Sequence, residues 1–326
     1  MSHELTQRAD GLIEFAYNAA HGQGWHGLGQ AVEADRVHDV PHWLDRAGMG
    51  WKINRSRVRF GEGPNQRTID DQHVLFRSDT KHPLGIVSAA YKIVQPSQVA
   101  GFFEDLVGAA GLTLSAMGTL QGGRRFWATA QIGEAAPVSV RDKISGYLLL
   151  STSADGSLAT EARLTTIRTV CANTLAMARA EGKAAFKLSH RSVFDADRIK
   201  ADMKLNDQAW LKFRQDVRRL AEKAISQPAA EHLVGRILAG SYDQKAIDKV
   251  RASSRGYGKI LDLFNGGAKG SGFDGVRGTA WGLLNACTEY VDHHVVARTQ
   301  ENRFISAQWG PGGDLKTEAF DVLLAA

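Results

Sequence analysis

Arg124, Arg125, Phe126 and Trp127 are consecutive, and Lys143 and Tyr147 follow on the next strand-like run. Guanidinium groups bind phosphates while aromatic rings set among them stack on bases, which is how a single nucleic-acid strand is held without regard to its sequence. Arg163 and Arg168 continue the theme on a third run. If the runs pair in register, Arg124, Arg125, Lys143, Arg163 and Arg168 meet phosphates from one sheet surface, with Trp127 and Tyr147 as the stacking rings. The same pattern fits an amphipathic sheet in which Trp127 packs beneath another element. A second basic stretch, Lys52, Arg55, Arg57 and Arg59, has its three arginines at period two, with Ile53, Val58 and Phe60 supplying apolar area. It fits an anion-binding face, or a solvated edge strand whose charges discourage aggregation.

Bond-making chemistry finds less support. Asp70-Asp71 suits a divalent metal if it sits on a strand, and suits a turn as well. Asp292-His293-His294 resembles part of an Asp-His-His phosphoesterase site, but the further carboxylate motifs such a site needs do not follow in order. His38 and His42 would have to share a helical turn that Pro41 interrupts, which leaves them and His26 without ligand spacing. Cys171 lies between Val170 and Ala172, surroundings that predict a buried thiol and not a nucleophile. GWHGLG at 24–29 lacks the G-x-G-x-x-G order and follows no strand, so a dinucleotide site is not expected. No metal and no cofactor are expected, and the chain is read as non-catalytic. The alternatives are a metal-dependent enzyme of nucleic-acid metabolism using His26, Asp70, Asp71 or His293, and an inhibitor that binds a host protein.

Composition agrees with a globular binding protein. The 326 residues are 43% hydrophobic, enough for a sizeable core in one large domain or two. A net charge of +5 attracts anionic partners over a Debye length. The two cysteines stand apart in apolar contexts, which suits a reducing compartment and no disulfide framework. No basic leader and no long apolar run is present, so the expectation is a cytoplasmic protein outside the membrane.

The elements that must position these residues are organised around Leu148 to Ala180. Asp155-Gly156 supplies a turn, because Gly tolerates positive φ and Asp caps its own backbone, and the flanking runs pair as a hairpin. After Ile167 the period becomes helical, with Val170, Cys171, Leu175 and Ala178 on one side of a buried helix. Upstream, residues 1–30 carry a short helical pattern, Asp39 caps a helix from Pro41 to Ala47, and Trp51 to Phe60 alternates as a strand. His73 to Arg77, Leu84 to Ser88, Leu112 to Met117 and Arg124 to Ile132 read as further strands, with a helix from Ser97 stopped by Gly111. Residues 183–259 are largely helical, and another helix begins at Thr279. The fold class is therefore α+β: a central antiparallel β-meander backed by a buried helix, residues 1–182, followed by a mostly helical portion, 183–326.

Five words carry a resemblance: WHGLG at 25–29, YKIVQP at 91–96, GGRRFWATAQI at 122–132, VCANTLA at 170–176 and GTAWGLLNACTEYVDHH at 278–294. Together they resemble a phage- and plasmid-like protein family named only for a domain of unknown function, which implies a cytoplasmic protein of mobile elements and no particular activity. A more remote, architectural similarity is to phage single-strand annealing proteins of the Erf and Red-beta type. That similarity implies rings or filaments of like chains, which hold single-stranded DNA along a basic groove and anneal it to its complement during DNA recombination.

Overall fold

The structure is a computed structural model that describes residues 8, 10–21, 29–109, 111–168, 174–176, 185–188 and 210–326. Among these, the strands are β1 (Phe15–Asn18), β2 (Gln30–Val32), β3 (Ile53–Phe60), β4 (Arg67–Arg77), β5 (Pro83–Ser88), β6 (Leu114–Leu120), β7 (Arg125–Pro137), β8 (Lys143–Ser153), β9 (Thr160–Arg168), β10 (Thr174–Ala176) and β11 (Ala185–Leu188). The helices are α1 (Val40–Arg46), α2 (Pro96–Ala109), α3 (210–222), α4 (Gln227–Ala239), α5 (Gln244–Ser253), α6 (Arg255–Asp262), α7 (Ala280–Glu289), α8 (Gln300–Trp309) and α9 (Pro311–Ala325). The α+β class is as expected from the sequence.

The larger sheet has the order β10-β9-β8-β7-β6-β1-β2, with β11 also paired to β9, and the smaller one is β3-β4-β5. β6 to β9 are neighbours in chain order, so the meander is real. Five residues, 138–142, join β7 to β8, and their turn is closed by the Val138 amide donating to the Asp142 carbonyl at 2.8 Å. A parallel crossover needs a dozen or more residues, so the strands can only run antiparallel. At the next turn Gly156 takes φ +75°, and Asp155 Oδ1 accepts from the Ser157 amide at 2.9 Å. The hairpin read from Asp155-Gly156 is therefore present, with the hydroxyls of Thr152 and Thr160 bonded across it at 2.9 Å.

Three readings need correction. Phe15–Asn18, in the stretch with a helical pattern, is a strand that runs parallel to β2 and antiparallel to β6. Thr174–Ala176, inside the expected buried helix, is a strand antiparallel to β9, with Thr174 opposite Ile167. Ala185–Leu188, in the stretch read as helical, is another strand. In each case a ladder to a partner strand overrides a weak local period, β1 with the distant β6 and Thr174 of β10 with Ile167 only seven residues earlier, as strand formation depends on context more than on propensity. Val170, Cys171 and Ala178 lie outside the described residues.

The chain divides into two compact units, each made of alternating segments. The first comprises residues 1–131, 148–162 and 185–203, the second 132–147, 163–184 and 204–326. In the first, Trp43, Trp51, Leu75, Leu84, Phe103 and Phe126 form the core. Asp39 caps α1 as expected, its Oδ1 accepting from the His42 amide at 3.0 Å. In the second, Trp210, Phe213 and Phe320 stack in sequence at centroid distances of 6.1 and 5.4 Å. Thr279 caps α7 by accepting from the Gly282 amide at 3.1 Å, and Trp281 Nε1 donates to Asp142 Oδ2 at 2.9 Å. No helix among the described residues is long and apolar enough to cross a membrane.

Candidate nucleic-acid interface

β3 and β4 pair antiparallel from Ile53 opposite Arg77 to Phe60 opposite Arg67. The register shifts after Arg57, which faces His73, because Val58 then faces Ile69 and Asp70, Asp71 and Gln72 are left as extra residues on β4. β5 covers β4 only between Gln72 and Phe76. Beyond that point the ribbon has two strands, and side chains on both of its faces meet solvent. Period-two alternation puts Arg55, Arg57 and Arg59 on one face and Val58 and Phe60 on the other. All three arginines are exposed, as is Arg67 near the tip. The arginine face is thus the anion-binding candidate that the spacing in the sequence suggested.

A buried polar cluster fixes the root of this ribbon. Arg77, 4% exposed at the end of β4, donates Nη2 to Glu14 Oε1 at 2.5 Å, and Glu14 is fully buried. Thr119 Oγ1 donates to the other Glu14 oxygen at 2.5 Å. The remaining guanidinium donors reach Asp79 Oδ1 at 3.0 Å and the Gly122 carbonyl at 3.2 Å, and the group lies 4.2 Å from the centroid of Trp51. On β3 the Gln95 side chain acts as a substitute strand, accepting from the Ile53 amide at 2.8 Å and donating to the Ile53 carbonyl at 3.0 Å. Gln95 belongs to YKIVQP, so that word has a structural use.

Asp79 adds a pH dependence. Hydrogen bonding from Arg77 holds its carboxyl down at about 2, against an ordinary value of 3.8. A carboxylate whose value is depressed in the folded state stabilises above its unfolded value and loses that contribution as pH falls through the folded one. Stability is therefore expected to drop between about pH 4 and pH 2, and Asp79→Asn is expected to flatten that stretch of the curve. Urea midpoints across the window, parent against variant, measure it; two parallel curves would remove Asp79 from the account.

The residues first singled out do not assemble as the sequence suggested. Arg124 and Lys143 are exposed and Arg125 is half-buried. Trp127 is 8% exposed, with its ring 5.6 Å from that of Phe15, and is closed to a base. Tyr147 is half-buried, and burial pushes its hydroxyl above the ordinary value. Arg163 donates Nη1 to the Gln308 carbonyl at 2.7 Å, and the Arg168 side chain lies outside the described residues. Along β8 and β9 the consecutive residues Leu148 to Ser153 are all buried, as are Glu161 and Thr165, so the hydroxyl-bearing positions do not form an open surface there. A strand covered on both faces cannot be told from a half-exposed one by alternation when its polar positions are short hydroxyls.

The alternative catalytic residues fare no better. His26 lies outside the described residues. Asp70 and Asp71 are exposed on the bulge of β4, with Asp70 Oδ1 3.8 Å from Arg57 Nη1. Among the described residues no three His, Cys, Asp or Glu side chains gather as metal ligands would. Asp292, next to His293, instead accepts from Lys316 Nζ at 2.8 Å, with Lys316 buried and the Asp292 side chain 9% exposed. Burial pulls the Lys316 ammonium below its ordinary value while the Asp292 carboxylate opposes that shift. Asp292→Ala is expected to cost about 3–5 kcal/mol by leaving this ammonium buried without its carboxylate, and Asp292→Leu combined with Lys316→Met far less. Urea unfolding of the three proteins tests this, and equal losses would show that volume, not charge, matters here. Cys287 is fully buried, and its thiol is pushed up to about 12, so it is inert.

The comparisons place the chain. A family described as domain of unknown function (DUF932) matches residues 83–309, from β5 to the end of α8. No curated protein and no solved structure matches. β3 and β4 precede the matched span, as does WHGLG, whereas the other four shared words fall inside it. Since the match covers the whole meander and most of the helical portion, more than half of the sequence, the chain belongs to the DUF932 family.

Proposed function

We propose that this chain is a non-catalytic protein that binds single-stranded DNA through the β3–β4 ribbon. One observation supports the reading above others: Arg55, Arg57 and Arg59 stand exposed on one face of an edge strand. Alternate residues on a strand lie about 6.8 Å apart, so successive arginines can meet successive phosphates of an extended chain. The net charge of +5 adds attraction at longer range. Strand annealing in DNA recombination, in rings or filaments of like chains in the cytoplasm of a cell carrying a phage or plasmid, is the role proposed from the likeness to Erf and Red-beta proteins.

Fluorescence anisotropy of a labelled oligonucleotide at several salt concentrations tests the reading. The expected result is binding at low salt with little sequence preference, weakening steeply as salt rises because neutralised phosphates release counterions. An absence of binding at low salt would overturn it. Electron micrographs with and without the oligonucleotide test the assembly, and isolated single chains in both would remove the ring or filament.

A further inference from the structure

Phe60 ends β3 with 52% of its surface exposed, and Arg67 is its partner across the ribbon. Directly opposed residues of an antiparallel pair share a face, with Cβ atoms about 4.5–5.5 Å apart. Behind them on that face Val58 opposes Ile69, both half-buried. The tip therefore carries one open aromatic ring and one guanidinium side by side, on the face away from Arg55, Arg57 and Arg59. β3 is the edge strand of its sheet, so no further strand of that sheet lies between the two faces along this side.

We infer that Phe60 and Arg67 form a nucleotide-binding unit, the ring stacking on an unpaired base and the guanidinium holding the adjoining phosphate. A single strand tracking the three arginines would reach it by crossing the open edge of β3. The inference rests on the proposed single-strand binding and names the contact that fixes a base. Two chemistries in one place select the occupant. A purely apolar surface would cover the ring but desolvate Arg67 with no anion to meet it. A nucleotide offers a flat π-face to the ring and an anion to the guanidinium, and so satisfies both.

The test uses the full chain and a single-stranded oligonucleotide carrying 2-aminopurine, whose emission reports stacking. Binding by the parent is expected to change that emission. Phe60→Ala is expected to bind about tenfold more weakly and to lose the emission change while keeping the salt slope, because stacking releases no counterions. Phe60→Trp is expected to restore both affinity and emission change, which separates loss of the ring from misfolding. Arg67→Ala is expected to lower the slope by about 0.7. If Phe60→Ala matches the parent in affinity and emission, the unit is wrong while binding by the arginine face stands. If the parent binds no oligonucleotide, the reading beneath it fails as well. If Phe60→Ala turns a dimer into a monomer in sedimentation and leaves DNA binding intact, a second copy covers the ring and the inference is overturned.

Discussion

Arg77→Leu is expected to lower the unfolding free energy by about 3–5 kcal/mol, among the largest effects of any single substitution in the first unit. Glu14 is fully buried, and its charged partner is a guanidinium that is itself 4% exposed. Removing the cation leaves the carboxylate with the Thr119 hydroxyl as a much weaker partner. It also strips the donor from the Gly122 carbonyl and the cation from the face of Trp51. Arg77→Leu combined with Glu14→Leu is expected to recover much of the loss, since an apolar pair of similar volume has no desolvation cost. Urea titration of parent, single and double variants makes the comparison. A double variant no more stable than the single one would mean that shape, and not the uncompensated charge, is what Arg77 supplies.

Arg55→Ser, Arg57→Ser and Arg59→Ser together are expected to weaken binding of a single-stranded oligonucleotide about a hundredfold at 0.1 M salt. Each phosphate contact on a single strand contributes about 0.7 to the slope of log K against log salt, so three contacts contribute about 2. Referred to 1 M salt, one decade of concentration turns a slope of about 2 into about two decades of affinity. The serine variant should fold, because all three side chains are exposed and none contributes to the core. Anisotropy titrations at several salt concentrations read affinity and slope together. If the triple variant keeps the parent's slope while Arg124→Ser with Lys143→Ser loses it, the strand lies on the exposed cations of the meander and not on the ribbon.

The Arg55, Arg57 and Arg59 face could be read directly from the sequence, since period two along a strand fixes which side chains share a face. Which of the rings beside Arg124, Arg125 and Lys143 are open to solvent could not. Both stretches alternate cations with aromatic or apolar residues, and alternation says only that two faces differ, not which one water reaches. Trp127 shows the difficulty: the sequence is the same whether its ring meets a base or Phe15, and only β1, fifteen residues from the start of the chain and 112 residues away, decides it. Phe60 is the reverse, an apolar residue whose exposure alternation leaves open and which stands in solvent because β5 stops short of it.

By itself the sequence determined what short-range chemistry controls. The Asp155-Gly156 hairpin, the Asp39 and Thr279 caps, the β6–β9 meander and most helices depend on neighbours within a few residues, where backbone hydrogen bonding and turn preference act without help from afar. Tertiary structure alone decided the rest. β1 is a strand because β6, distant in sequence, completes its ladder, β8 and β9 are buried on both faces because of what covers them, and Glu14 holds Arg77 across 63 residues of chain. Burial and long-range pairing are sums over contacts that a local window does not contain, and they set which side chains of two basic stretches water reaches.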